Sequence, residues 1–201
     1  MNCTAIINYG VGNVLSIKRS LDYVGIKSII TNNKKKIEKC SHLILPGVGA
    51  FSSAMKLLKE KGLDKVIKDF AKSGKPVLGI CLGMQLLFEE SHEFGKWKGL
   101  NILPGKVMKI NIKNENIPIV GWFKIKSESN NFLEKYSNKY LYLVHSYECK
   151  PTRKKDVIGT YRINKNKILC AVKNKNVLGF QFHPEKSSFN GLKILKDFCN
   201  L

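Results

Sequence analysis

The sequence predicts an α/β protein: three α/β/α layers, a mostly parallel central sheet and an antiparallel extension. Three observations carry that expectation. Short runs rich in Ile, Val and Leu alternate with amphipathic helical stretches through the first ninety residues. Several of those runs are apolar throughout, as strands covered on both faces are. Beyond residue 100 strand follows strand, until one closing helical stretch.

Taken in order, "CTAIINY" is a buried strand running into Gly10. In "VGNVLSIKRSLDYVG", Val14, Ile17, Leu21 and Val24 recur at three- and four-residue spacing, and Gly25 stops the helix. "KSIIT" is a second strand, and "HLILPG" a third, ended by Pro46-Gly47. Ser52 or Ser53 is placed to cap a helix over "SAMKLLKEKG", which "LDKVIKDFAKSG" continues. "KPVLGI" is a fourth strand and "LGMQLLFEES" its helix. The second half reads as strands "LPGKVMKI", "WFKIK", "YLYLVHSY", "VIGTYRI", "ILCAVK" and "VLGFQFH", then the helix "FNGLKILKDF". No linker composition or internal repeat divides the chain, so residues 1–201 are expected to form one domain.

With 35 Lys and Arg against 15 Asp and Glu, the net charge is +20, and nucleic-acid binding is the obvious class to weigh. The lysines are spread along the chain and interleaved with asparagine, as in "NKNKI" and "KNKN". "NNKKK" and "RKK" read as solvated loop faces, and no aromatic-basic motif accompanies them. No nucleic-acid partner is expected; a basic module on a hydrolase-like fold is the remote alternative. No stretch is long and apolar enough to span a bilayer, and "MNCTAIINYG" lacks a secretory leader pattern, so a cytoplasmic chain without a membrane partner is expected. Cys3, Cys40, Cys81, Cys149, Cys170 and Cys199 are scattered, with no CxxC pair or zinc spacing. No metal or cofactor is expected, and buried reduced thiols are the default for all but Cys81.

Gly79-Ile80-Cys81-Leu82-Gly83 is G-x-C-x-G at a strand-to-helix junction. The nucleophile elbow of hydrolases has this form, with serine in place of cysteine. A nucleophile at the tip of such a turn sits in a sparsely populated backbone region, and flanking glycines relieve the crowding. The helix start beneath it favours thiolate, and the Leu82 amide points where an oxyanion develops. On spacing alone a structural turn fits equally well. A nucleophile needs a base, and the base an orienter. Of the four histidines, His42 opens a buried strand and His92 lies in a polar loop, while His145 in "LVHSY" fits either a structural or a chemical role. His183, in "GFQFHPEKS", is followed by Glu185 two residues on, across Pro184. On an extended segment residues i and i+2 point to one side, so imidazole can reach the thiol while the carboxylate holds it.

"GICLGMQLLFEES" and "GFQFHPEKSS" resemble the two signatures of class I (triad-type) glutamine amidotransferases. "NYGVGNVLSIKRSLDYVG", "LILPGVGAFSSAM", "GLNILPGKVMKI" and "VHSYECKP" narrow the resemblance to glutaminase subunits of imidazole glycerol phosphate synthase, over essentially the whole chain. The resemblance implies a flavodoxin-like topology and hydrolysis of L-glutamine without a cofactor. Cys81 would form a glutamyl thioester, His183 shuttle the proton, and Glu185 orient His183. Leu82 and Val48 would supply oxyanion amides, the latter after a peptide flip. Gly49, Gln85 and Glu93, with the backbone at His145, Ser146 and Tyr147, would hold glutamine, Glu93 pairing with its amine. Read alone, Gln85 and Glu93 fit an exposed helix face and loop. Ammonia would pass in a heterodimer to a synthase (cyclase) subunit, a (β/α)8 barrel of the HisF type, with Asn13, Trp122, Tyr142 and Lys186 near the interface. One stretch departs: "IPIVGWFKI" has Ile119 and Phe123 where the family pattern P-H-x-G-W-N has histidine and asparagine. That stretch is expected toward the partner, which leaves open a different synthase, for instance one amidating a surface sugar.

Overall fold

A computed structural model describes residues 3–112, 115–128 and 131–201; Met1 and Asn2, part of the start read above for a leader, lie outside them. In chain order the elements are β1 (Thr4–Ile7), α1 (Val14–Tyr23), β2 (Ser28–Thr31), α2 (Lys34–Glu38), β3 (His42–Leu45), α3 (Phe51–Glu60), α4 (Leu63–Lys72), β4 (Val77–Ile80) and α5 (Leu82–Leu86). Then come β5 (Phe88–Ser91), β6 (Trp97–Lys98), β7 (Leu103–Lys109), β8 (Ile119–Ser127), β9 (Tyr140–His145), β10 (Tyr147–Pro151), β11 (Val157–Ile163), β12 (Asn166–Asn174), β13 (Val177–Phe180) and α6 (Ser188–Phe198).

One sheet has the order β2-β1-β3-β4-β13-β12-β11-β8-β9. Its first five strands are parallel and the rest antiparallel, the mostly parallel core and extension that the sequence predicts. β1, β3, β4 and β13 are buried at every position because helices cover both faces. α1 and α6 lie on one face, through Ile17, Leu21, Ile194 and Phe198. α2 to α5 lie on the other, through Ile37, Leu58, Phe70 and Met84. A second sheet, β10-β7-β5-β6, packs beside the second face.

The structure corrects the sequence expectation at several elements. "NNKKK" enters a short helix, α2: the Asn33 side chain accepts from the Lys36 N–H (3.1 Å) and Ile37 is buried. One apolar residue is too little for periodicity to register. The helix expected to run on from residue 53 breaks at Gly62, whose φ is +59°. Neither Ser52 nor Ser53 caps α3; Ala50 holds that position, and the Glu93 carboxylate accepts from the Phe51 N–H at 2.5 Å. "LGMQLLFEES" is helical only to Leu86. The Leu86 and Leu87 carbonyls accept from Leu100 and Leu103 N–H (2.8 and 2.9 Å), so the segment leading into β7 takes the groups a longer helix would use. "YLYLVHSY" is two strands: β9 pairs with β8 in the large sheet, β10 with β7 in the small one. "VLGFQFH" leaves the ladder after Phe180.

The C-terminal ends of β3, β4 and β13 lie side by side, and the segments leaving them build one site. The α5 backbone is pressed against β3 there. A Cβ on Gly83 would stand 1.9 Å from the Leu45 carbonyl oxygen, a backbone atom with nowhere to go. Gly83→Ala is therefore expected to lose about 3 kcal/mol of unfolding free energy. Denaturant titration checks this, and an unchanged midpoint would refute the close approach.

Candidate active site

β4 ends at Ile80, and Cys81 carries φ 54° and ψ −115°, a region L-residues rarely adopt. Its N–H donates to the Phe180 carbonyl at 2.7 Å, which ties the turn to β13. The flanking glycines serve the packing around the turn more than the cysteine. A Cβ on Gly79 would lie 2.7 Å from the Gly83 oxygen and the Met84 backbone. The Cys81 sulfur lies 3.8 Å from the Val144 carbonyl. Leu82 opens α5, where first-turn amides have no intrahelical acceptor. Val48, half exposed, follows β3, and Gly49 beside it has φ +89°.

His183 is extended, but Pro184–Lys186 form a 3-10 turn. That turn, rather than one face of an extended segment, brings Glu185 Oε1 within 2.8 Å of His183 Nδ1. The His183 N–H donates to the Tyr142 carbonyl (2.9 Å), and the Ser187 hydroxyl donates to the His183 carbonyl (2.6 Å). Imidazole and carboxylate are both buried. Burial by itself lowers the His183 pKa; hydrogen bonding and charge attraction from Cys81 and Glu185 outweigh it and raise it to about 10. The ring therefore holds its proton at neutral pH.

A cavity of about 340 Å³ opens over the sulfur. It brings together Cys81, His183, Val48, Gly49, Leu82, Gln85, Glu93, His145, Ser146 and Tyr147, residues that the sequence spreads over more than a hundred positions. Phe94, Pro118 and Val144 complete its wall, the last two from "IPIVGWFKI" and "VHSYECKP". Gln85 is buried rather than on an exposed helix face, and its Nε2 donates to the Tyr147 carbonyl at 3.3 Å. Glu93 forms wall and helix cap at once. His145 meets the Tyr147 carbonyl through Nδ1 (2.7 Å) and the Tyr161 hydroxyl through Nε2 (2.8 Å). Burial lowers its pKa to about 4, so it is neutral: Nδ1–H donates and Nε2 accepts. Both nitrogens are occupied within the protein, and Tyr161 is a supporting residue the sequence did not flag. A larger groove of about 870 Å³ lies at the opposite ends of β4 and β13, lined by Lys68, Lys72, Arg153 and Lys175 without a nucleophile.

Trp122 is half exposed on β8 and meets the Tyr142 ring edge-on at 6.0 Å. Lys186 Nζ stands 5.8 Å from that ring, and the ring 6.4 Å from His183. Three of the four expected interface residues thus form a patch backing onto His183. Asn13 is half-buried at the head of α1, where its carbonyl accepts from the Ile17 N–H (3.2 Å). The two departures in "IPIVGWFKI" have their side chains turned inward. Ile119 is 4% exposed, and Phe123 packs on Tyr161 at 5.1 Å. Strand alternation sends Val120 and Trp122 outward instead, so the departures alter the layer behind the site.

A family model for glutamine amidotransferase class-I matches residues 5–200. The chain belongs to that family. Among amidotransferases it is similar to the imidazole glycerol phosphate synthase subunit HisH of Chlorobaculum tepidum, 39% identical and covering 96% of this chain and 98% of that one. The HisH subunits of Sulfurimonas denitrificans and Wolinella succinogenes are each 42% identical, the first covering 96% of both chains, the second 98% of both. Of solved folds, a glutamine amidotransferase superposes with TM-score 0.77 at 18% identity, over 98% of this chain and 99% of that one. PurLQS from Thermotoga maritima gives 0.74 at 20%, over 98% and 97%. At those identities they bear on the fold alone.

The pKa of His145 sets a pH dependence. Between pH 6.5 and about 4 the unfolded chain binds a proton that native His145 refuses, so stability falls as pH drops through that window. Its contribution is fully present above pH 6.5. The stability gap between wild type and His145→Gln should narrow by roughly 2 kcal/mol from pH 7 to pH 5. Equal gaps in urea titrations at the two pH values would contradict this.

Proposed function

We propose that residues 1–201 are a single-domain glutaminase subunit that hydrolyses L-glutamine and delivers ammonia to a synthase (cyclase) subunit, a HisF-type barrel, for imidazole glycerol phosphate formation in histidine biosynthesis. One observation carries the chemistry. A buried His183, hydrogen-bonded to Glu185 at 2.8 Å, lines with Cys81 a cavity that Gln85 and Glu93 also line.

Cys81 thiolate attacks the side-chain amide carbon of glutamine. The oxyanion that forms is met by the Leu82 amide and, once the peptide turns, by the Val48 amide. His183 gives its proton to the leaving nitrogen; the C–N bond breaks, releasing ammonia and leaving a glutamyl thioester. The now neutral imidazole takes a proton from water, whose oxygen attacks the thioester, and glutamate leaves as the thiolate re-forms. Glu185 holds Nδ1 throughout. The Glu93 carboxylate suits the substrate ammonium, and amides near Ser146 and Tyr147 its carboxylate.

The Trp122, Tyr142 and Lys186 patch supports a docking face for the synthase next to His183. Free thiols at all six cysteines support a reducing, cytoplasmic setting. Among the described residues no helix is long and apolar enough to cross a membrane.

Cys81→Ala and Cys81→Ser should abolish glutamine hydrolysis while the assembled synthase still turns over with added ammonia. Glutaminase activity surviving in Cys81→Ala would overturn the mechanism. The lone subunit should hydrolyse glutamine well below the rate of the complex, since the Val48 amide awaits the partner. Equal turnover in steady-state assays of both would dismiss that coupling.

A further inference from the structure

Gln181 lies two residues before His183, fully buried where the chain leaves β13. Its amide belongs to a row whose direction is set at the far end. The Tyr147 carbonyl can only accept, so it must face the NH₂ of Gln85, at 3.3 Å. The same nitrogen lies 3.1 Å from the Gln181 amide and must meet its Oε1, since two NH₂ groups would repel. Gln181 is thereby forced to present its own Nε2 to the remaining neighbour, the Cys81 sulfur, at 3.7 Å. Oxygen and nitrogen of an amide are alike in shape, but a backbone carbonyl removes the ambiguity here.

We infer that Gln181 is a further catalytic residue: its side-chain N–H, oriented through Gln85 by the Tyr147 carbonyl, stabilises the Cys81 thiolate. A donor facing sulfur favours the anion over the thiol, and does so more strongly in a buried site. It acts while Cys81 stands as the thiolate beside protonated His183 before attack, and again when sulfur leaves the thioester. Gln85 also lines the substrate cavity, so the row links the pocket to the nucleophile. The inference rests on Cys81 being the nucleophile.

The test is the pH dependence of Cys81 alkylation by iodoacetamide in the full chain, for wild type, Gln181→Met and Gln181→Glu. The midpoint should rise by about one pH unit in the Met variant, equivalent to tenfold less thiolate. It should rise further in the Glu variant, which sets an acceptor against sulfur. In the complex, kcat should fall more than KM for glutamine rises. Unmoved alkylation profiles, even with reduced kcat, would overturn the inference and leave Gln181 a packing residue. Should neither variant fold, the side-chain amide resonance of Gln181 in wild-type protein decides. It should shift as Cys81 titrates and stay flat in Cys81→Ala; no shift in wild type overturns the inference. Labelling of wild-type Cys81 by an electrophilic diazoketone analogue of glutamine separates the two levels. Its failure strikes the nucleophile itself, whereas its success with unmoved profiles strikes Gln181 alone.

Discussion

The site depends on one close approach, the first turn of α5 lying directly on the end of β3. Gly83 allows it by having no Cβ to strike the Leu45 carbonyl. Gly47 allows it from the other side, where a Cβ would stand 2.7 Å from the Gly83 nitrogen. The Tyr9 hydroxyl donates to the Pro46 carbonyl at 2.9 Å and holds the loop after β3 in place. The turn at Cys81 and the loop after β3 are therefore one packed unit. The strained backbone at Cys81 persists because β4, β13 and β3 over-determine it.

The second governing effect is electrostatic, and two buried histidines display it. His145 and His183 lose similar contact with water, yet their proton affinities move in opposite directions. His145 faces a carbonyl and a hydroxyl, which satisfy a neutral ring and do not offset the desolvation of a charged one. His183 faces a carboxylate and a sulfur that can both be anionic, and these hold the charge. Neighbours decide which ring favours the proton, since burial is common to both. The neutral His145 then stiffens the break between β9 and β10, which supplies three residues of the cavity wall.

Much of the fold is visible in the chain because parallel strands must be apolar at every position and their helices must be amphipathic. β1 to β4, α1 and α6 follow from that pattern. The errors fall where distant groups compete for a local segment. α5 stops because the segment leading into β7 claims the carbonyls at its end, and nothing in "LLFEES" announces that. The split of "YLYLVHSY" has no glycine or proline to mark it, since it arises when one segment serves two sheets. Glu185 reaches His183 through a turn, although spacing alone suggests an extended pair.

By itself the sequence singled out a candidate nucleophile, base and orienter, through the glycines around Cys81, the His183-Pro184-Glu185 segment and the family resemblance that both carry. It also determined the parallel core, through composition of the strands. Tertiary structure decided which polar residues gather around Cys81. Gln85 became a wall of the cavity, His145 a support, and the polar residue between Phe180 and Phe182 a neighbour of the sulfur. It also turned Ile119 and Phe123 inward and left Trp122 outward. Hydrogen-bond direction and the inward or outward sense of a strand residue depend on partners far along the chain, which local sequence does not carry.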